Sequence, residues 1–483
     1  MKLARFSALL LLLAGGWLAG LPGPARAGES ELRFPPPEFE SDYVMPPGIT
    51  TPPPRGVVRE YADLAVLLGA LGLATWLVHR RRSRRGLAAL SVFSLVYFGF
   101  FRHGCVCPIG APQNVAYGLF TPEYTLPLTV LLFFLAPLVV ALFAGRAFCA
   151  AVCPHGALQD LVLLRPVKVP LWVEQGLAPL PYLFLGGGVL LAATGVGFLI
   201  CRWDPFVPLF RMSGSFLMLS VGGVFVVASM FIGRPFCRFL CPYGALLRLA
   251  ALVSRWRVRI TPTTCTQCRL CEHSCPFGAI REPLALPVSP ATLAPERRRL
   301  GWLLVALPVL VALGAWVGTR VAVPAARLHP NVALLERYLA SATANPAQAP
   351  AGMSASNAAP AAAPGVAHPT GPGAGPTPES RALVRAELET PRLAAQAAEL
   401  RRRLTAAGGW FGGWVGLVLG LRLVTLSVRT ARTDFEPDRG ACLACGRCYL
   451  SCPNERLRLG LITPEEAARL TAAPPPAAAR AGS

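Results

Sequence analysis

Charged side chains are scarce in this chain. They make up 15% of its 483 residues against 53% hydrophobic ones, and its 25 Asp and Glu are outnumbered by 46 Lys and Arg. That balance excludes an ordinary soluble enzyme and describes an integral membrane protein. No CxxCH occurs, so covalently attached c-type haem is excluded. Neither a basic groove signature nor an RNA- or DNA-binding motif accompanies the net charge of +21, so nucleic acid is not an expected partner. In a polytopic chain basic excess marks cytoplasmic loops, and the first expected partner is membrane lipid.

What is abundant is apolar sequence. Lys2 and Arg5, the apolar stretch through Ala19 and the Ala25-Arg26-Ala27 site read as a secretory signal over 1–27, with an uncleaved first helix as the alternative. Residues 28–62, with PPPEFE and MPPGITTPPPR, read as a periplasmic Pro-rich tether. Seven apolar runs follow, near 63–79, 86–101, 126–144, 182–200, 215–232, 300–319 and 408–427. Most are long enough for a hydrocarbon core of about 30 Å.

Arginine orients these runs. Arg80, Arg81, Arg82, Arg84 and Arg85 crowd the first connection, and Arg248, Arg255, Arg257, Arg259 and Arg297 to Arg299 crowd the fifth, which places both in the cytoplasm. Parity then puts Arg102 to Pro127, Cys201 to Gly214 and the Ala/Pro-rich loop 324–407 in the periplasm. The chain is thus expected to be a multi-pass protein of a bacterial inner (cytoplasmic) membrane. Arg401, Arg402 and Arg403 run against the rule, standing on the outer side of the last run.

One phrase occurs twice: GRAFCAAVCPHGALQD from Gly145 and GRPFCRFLCPYGALLR from Gly233. Each copy closes an apolar run, and each is preceded by cysteine at the other membrane face, Cys105 and Cys107 before the first and Cys201 before the second. Two copies in one orientation predict a duplicated hairpin with approximate twofold symmetry about the membrane normal.

The strongest chemical signal is CTQCRLCEHSCP, holding Cys265, Cys268, Cys271 and Cys275, together with CLACGRCYLSCP, holding Cys442, Cys445, Cys448 and Cys452. Each is the complete C-x2-C-x2-C-x3-C-P run of bacterial ferredoxins, in which three close thiolates bind one cubane and the fourth reaches the other. The expected ligand sets are therefore Cys265, Cys268, Cys271 and Cys452 on one [4Fe–4S] cluster, and Cys442, Cys445, Cys448 and Cys275 on the other. Tetrahedral zinc is the bland alternative, and such sites rarely use the whole run. The long interval between the runs is no obstacle, since widening a loop about fivefold costs only about 1.5 kcal/mol of closure entropy.

The remaining cysteines leave alternatives open. Cys149, Cys153, Cys237 and Cys241 either converge on an additional redox or metal site, because residues four apart share a helix face, or pack as small buried thiols at a Gly/Ala-rich junction. Cys105, Cys107 and Cys201 face an oxidising compartment. A disulfide from Cys201 to Cys105 or Cys107 stands beside a redox-active dithiol or soft-metal site, with Asp204 of CRWDPF as a nearby proton acceptor. His103 and His155 flank these regions as proton carriers or ligands, or simply as hydrogen-bonded side chains.

The expected architecture is an all-α membrane bundle of about seven transmembrane helices with an internal hairpin duplication over 63–250. It carries a small α+β two-cluster ferredoxin-like cytoplasmic domain split between 251–299 and 429–465. Transmembrane helices over 300–323 and 408–428 enclose the disordered loop, and 466–483 is expected to be a disordered tail.

FCAAVCPHGALQ, FCRFLCPYGAL, GCVCPIGAPQNV, CRWDPF and the first ferredoxin run together resemble the polytopic iron–sulfur proteins of the NosR/NapH type, over about Arg102 to Ile280 and again from Cys442. The resemblance implies membrane electron transfer, with quinone and a periplasmic reductase as partners, in the manner of a quinol dehydrogenase-type component. NosR-type proteins carry a flavin-binding domain before the first span; no flavin attachment motif is visible here, and FMN is not expected. The leading expectation is electron transfer between the quinone pool or cytoplasmic donors and a periplasmic reductase. The alternative is an assembly factor supplying reducing equivalents or metal to a periplasmic metalloenzyme through Cys105, Cys107 and Cys201.

Overall fold

The computed structural model describes residues 57–104, 109–121, 124, 126–195, 197–260, 265–284, 290–327, 332–333, 336, 390–428 and 432–472. The signal, nearly all of the tether, Cys105, Cys107 and most of the 324–407 loop lie outside the described residues. Two units are distinguished: Met1–Pro52 with Trp316–Gly409, and Pro53–Ala315 with Trp410–Ser483.

The second unit begins with helix α1, Val57–Trp76, prolonged by a wider helical turn over Leu77–Arg81. Arg82 ends it in the left-handed conformation, and Ser83 starts α2, Arg84–Ser94, by accepting the Gly86 N–H through Oγ. Asp63 ties these first helices together, accepting from Tyr97 at 2.6 Å and pairing with Arg102. Next come α3 Ala111–Phe120, α4 Leu128–Ala144, α5 Pro154–Leu161, α6 Leu171–Leu177, α7 Leu180–Ala193, α8 Phe216–Ser229 and α9 Pro242–Leu252. Two long helices follow, α10 Pro290–Ala326 and α11 Thr390–Ser427, and a last one, α12, covers Pro464–Ala472.

Among the described residues, five helical stretches are long and apolar enough to cross a membrane: Val58–Arg81, Arg84–Phe101, Leu171–Ala193, Glu296–Ala326 and Ala397–Ser427. The apolar helices α4 and α8 are shorter. At about 1.5 Å per residue they reach roughly 25 and 21 Å, less than a hydrocarbon core. The segments around them fold inward. His155 Nε2, beside the first CxxxCP turn, lies 3.2 Å from Asp204 Oδ1 of CRWDPF, and Phe206 packs edge-on against Phe236. The sequence places these stretches on opposite membrane faces; the structure brings them to one buried contact.

In the second unit, α10 and α11 meet through glycine. A Cβ on Gly314 would run into the Gly412 carbonyl, and one on Gly416 into the Leu310 carbonyl, so the backbones touch where neither can yield. The outer face of α10 is apolar and open, with Trp302, Val305 and Val309 more than 60% exposed, as a lipid-facing helix requires. Gly416→Val is expected to cost about 1–3 kcal/mol by overpacking, read as a lower thermal midpoint of the detergent-solubilised protein. An unchanged midpoint would show that this approach is not tight.

In the first unit, Arg401 donates to Glu336 at 2.7 Å, and Arg402 and Arg403 pair with Glu399.

Three expected boundaries change. α1 starts at Val57, inside the tether; α11 starts at Thr390, inside the stretch expected to be disordered; and α12 runs to Ala472, inside the expected tail. The reason is propensity beyond the apolar run: the Leu-, Ala-, Glu- and Arg-rich text before Gly408 and PEEAARLTA are strong helix formers.

Candidate metal centres

The two ferredoxin runs share one backbone course. In the first, Gln267 and Arg269 are left-handed and the short helix Leu270–Ser274 ends at an extended Cys275. In the second, Ala444 and Gly446 are left-handed and the helix Arg447–Ser451 ends at an extended Cys452. Alternating left- and right-handed residues turn successive N–H groups toward one concave side, where an anion is favoured. The proline after each fourth cysteine stops the helix, having no N–H to donate.

The halves are joined by a two-stranded antiparallel sheet, β1 Ile280–Arg281 with β2 Glu436–Pro437, in register Ile280 to Pro437 and Arg281 to Glu436. Asp438 N–H continues it, donating to the Ala279 carbonyl at 2.7 Å. Asp438 then turns the chain into the second run by accepting from the Gly440 and Ala441 N–H groups. Burial opposes its charge, but the Ala441 N–H, Arg281 and Arg248 outweigh it and hold this carboxyl below the usual range.

The pairing brings cysteines of one run beside those of the other. Burial pushes the Cys271 thiol up to about 12, and the thiols adding to it are Cys452, Cys268 and Cys265. Cys442 is likewise pushed to about 12 by burial, with Cys445 and Cys275 beside it. Cys275, Cys442, Cys445 and Cys448 line a single cavity, closed by Phe277 and Pro437. The donors fit an iron–sulfur cubane: four thiols around a common space, with the Ala444 N–H directed at Cys442 Sγ. Among the described residues, no three or more His, Cys, Asp or Glu side chains form a group that could hold a metal ion.

A second group of thiols lies beneath the second run. Cys149, Cys153 and Cys241 are buried in the main core and Cys237 is packed against it. Cys153 and Cys241 each open a helix with proline in its first turn. Burial raises all of Cys153, Cys237 and Cys241; the neighbouring thiols adding to Cys153 are Cys237 and Cys149. Cys201 instead accepts from Gln113 Nε2 at 2.8 Å, away from both groups.

Four arginines and one aspartate organise this region, and the sequence singled out none of them as site residues. Asp160 is nearly inaccessible, with Arg84, Arg234 and Arg447 all within ion-pair distance. Burial opposes its charge, but Arg234, Arg84 and Arg447 together hold the carboxyl far below the usual range. Arg84 also donates to the Cys445 carbonyl, and Arg146 to the Gly440 carbonyl. The signal was present: arginine follows the first glycine in both copies, and the final positions are Asp160 and Arg248, opposite in charge. Those two meet opposite partners at the second run, Asp160 with Arg447 inside it and Arg248 beside Asp438 just before it.

Family models described as 4Fe-4S binding domains match residues 126–171 and 215–261, and a further one matches 258–281. The putative electron transport protein YccM of Escherichia coli K12 is 29% identical over 189 residues, 35% of this chain and 52% of that protein. NirI of Paracoccus denitrificans is 31% identical over 159 residues, covering 30% of this chain and 23% of NirI. The relatives include proteins named for electron transport and as ferredoxin-type. The regulatory protein NosR of Pseudomonas aeruginosa is 26% identical over 237 residues, 45% of this chain and 33% of NosR. The chain thus spans about half the length of YccM and a third or less of the other two. No solved structure matches. Segments of the chain thus match 4Fe-4S binding domains, and the chain is similar to NosR and NirI.

Proposed function

We propose that this protein carries electrons between the quinone pool or a cytoplasmic donor and a periplasmic reductase. Its two [4Fe–4S] clusters are ligated crosswise, by Cys265, Cys268, Cys271 and Cys452, and by Cys442, Cys445, Cys448 and Cys275. The observation that carries the reading is the cavity in which Cys275 of the first run stands with Cys442, Cys445 and Cys448 of the second. Cys271 is also among the thiols beside Cys448, so the two sites adjoin and an electron has a short passage between them.

The ferredoxin runs lie on the cytoplasmic side. Arg82 and Arg84, from the arginine-rich first connection, support this by reaching both halves: Arg82 donates to the Ile260 carbonyl and pairs with Glu455 at 2.8 Å, and Arg84 binds at Cys445. The twice-matched membrane segment is a duplicated hairpin whose copies form the platform for the second run. When bound, the clusters supply one-electron chemistry; the protein holds them dry and beside one another.

Anaerobically purified protein is expected to hold at least about eight irons per chain, and quinol added to membrane vesicles is expected to reduce the clusters, seen by EPR. Fewer irons would overturn the two-cluster reading, and clusters that respond to dithionite but not to quinol would remove quinone as the donor.

A further inference from the structure

The two ferredoxin runs sit in unlike electrostatic surroundings. Around the second run the cations are buried: Arg146 and Arg234 are 5% and 0% exposed, and Arg84 is mostly covered. Arg84 donates to the Cys445 carbonyl, and Arg146 lines one small cavity together with Cys442. The guanidinium carbon of Arg234 stands 5.6 Å from the ring centre of Phe277, which closes the cavity of that run. The CxxxCP repeat fixes these groups in place. Arg234, from the second copy, donates to the Cys149 and Ala150 carbonyls of the first. A Cβ on Gly156 would lie 3.1 Å from Arg234 Nη1, and one on Gly244 would lie 3.3 Å from Arg146 Nη2, so glycine admits each copy's arginine over the first turn of the other copy's helix.

Carboxylates do not cancel this charge. Asp160 is shared by Arg84, Arg234 and Arg447, Asp438 pairs with Arg281 and Glu174 with Arg238, and among the described residues Arg146 pairs with none. The first run is set differently. Cys265 and Cys268 are half-buried beside exposed Thr266, Gln267 and Arg269. The cations there, Lys168, Arg269 and Arg458, are about half exposed and paired with Glu272, Glu282 and Glu455, and Arg82 is bound to the fully buried Glu455. Water screens exposed charges, whereas dry surroundings strengthen the field of a buried cation. Reduction adds one negative charge to a cubane, so buried cations left uncancelled raise its potential. Burial alone acts the other way, but the dryness that penalises the added charge also carries the field of three arginines.

We propose that Arg84, Arg146 and Arg234 hold the second-run cluster at a higher potential than the first-run cluster, so that electrons from a cytoplasmic donor pass from the first run to the second, toward the membrane domain. The inference rests on the two-cluster reading and gives the cytoplasmic donor of that reading its route. One electron moves at a time, oxidising the first-run cluster and reducing the second, with no bond formed and no proton moved. The second run is the exit because Leu443, Ala444 and Cys445 belong to the main core with the membrane helices, while Cys271 and Cys452 lie in a separate small core.

In the test, anaerobically purified full-length protein is titrated with dithionite and redox mediators. Each cluster is followed by its EPR signal, assigned by loss in Cys265→Ala or Cys442→Ala. The second-run signal is expected to appear first. Arg146→Met is expected to shift its midpoint negative while the first-run midpoint stays in place, and Arg146→Lys to restore it; Arg234→Met is expected to act in the same direction. A first-run signal that appears first, or together with the second, overturns the ordering, and wild-type protein alone decides this even if an arginine variant fails to fold. A second-run midpoint unmoved in Arg146→Met overturns the role given to the arginines. Wild-type protein with about four irons and one titrating signal would instead sink the two-cluster reading beneath the proposal.

Discussion

Reduced membranes carrying Cys452→Ala are expected to lose the same EPR signal that Cys265→Ala removes, together with about four irons per chain. The loss is remote in sequence and local in space. Cys452 ends the second run, yet it is one of the thiols acting on Cys271, with Cys268 and Cys265 completing the group. Cys275→Ala is expected to give the mirror result, removing the signal that Cys442→Ala removes, because Cys275 lines the cavity of the second run. The physical cause is the strand pairing of Ile280 with Pro437, which sets the halves in opposed directions so that each fourth cysteine points back across the pair. Different signals lost in Cys452→Ala and Cys265→Ala would mean that each run binds its own cluster.

Asp160→Leu is expected to destabilise the protein by about 3–5 kcal/mol, the usual cost of removing one partner from a buried ionic network. The change strands Arg84, Arg234 and Arg447, each now facing the others across an apolar side chain. Because Arg84 also holds the Cys445 carbonyl, the second run should loosen first, with its EPR signal broadened or lost before the membrane helices unfold. Limited proteolysis and the thermal midpoint would measure the effect, and a midpoint within one degree of wild type would refute it. The pH dependence has a definite sign. The folded carboxyl is held below its unfolded value, so its contribution is complete above the ordinary carboxylate range. It is lost as pH falls through that range toward the depressed folded value. Asp160→Leu should therefore flatten the acid limb of the stability profile.

Cysteine spacing and hydropathy were legible without coordinates because both are periodic properties of the chain. The C-x2-C-x2-C-x3-C-P runs name a cofactor class by themselves, since three thiolates so closely spaced can surround one cubane. The cores of the apolar runs fall where helices stand, and among the described residues five of those helices are long and apolar enough to cross a membrane, while α4 and α8 are shorter. Helix ends were less legible, as at Thr390, because propensity continues past the point where hydropathy stops.

Only the tertiary structure decided what each residue faces. Cys149 and Cys237 are equivalent in sequence, but nothing in the repeat says that the copies interlock through Arg146 and Arg234, since that depends on glycines admitting a guanidinium from the other copy. Asp160 and Arg248 look like ordinary charges near a membrane edge until Arg447 and Asp438 are brought against them. His155 and Asp204 were assigned to opposite faces, and the short helices α4 and α8 allow them to meet. The sequence by itself determined the membrane class, the repeat and the iron–sulfur chemistry, because residue type and spacing suffice for those. The convergence of the thiols and the arginines that join them were decided by packing, because contacts between distant segments follow from shape and charge in three dimensions.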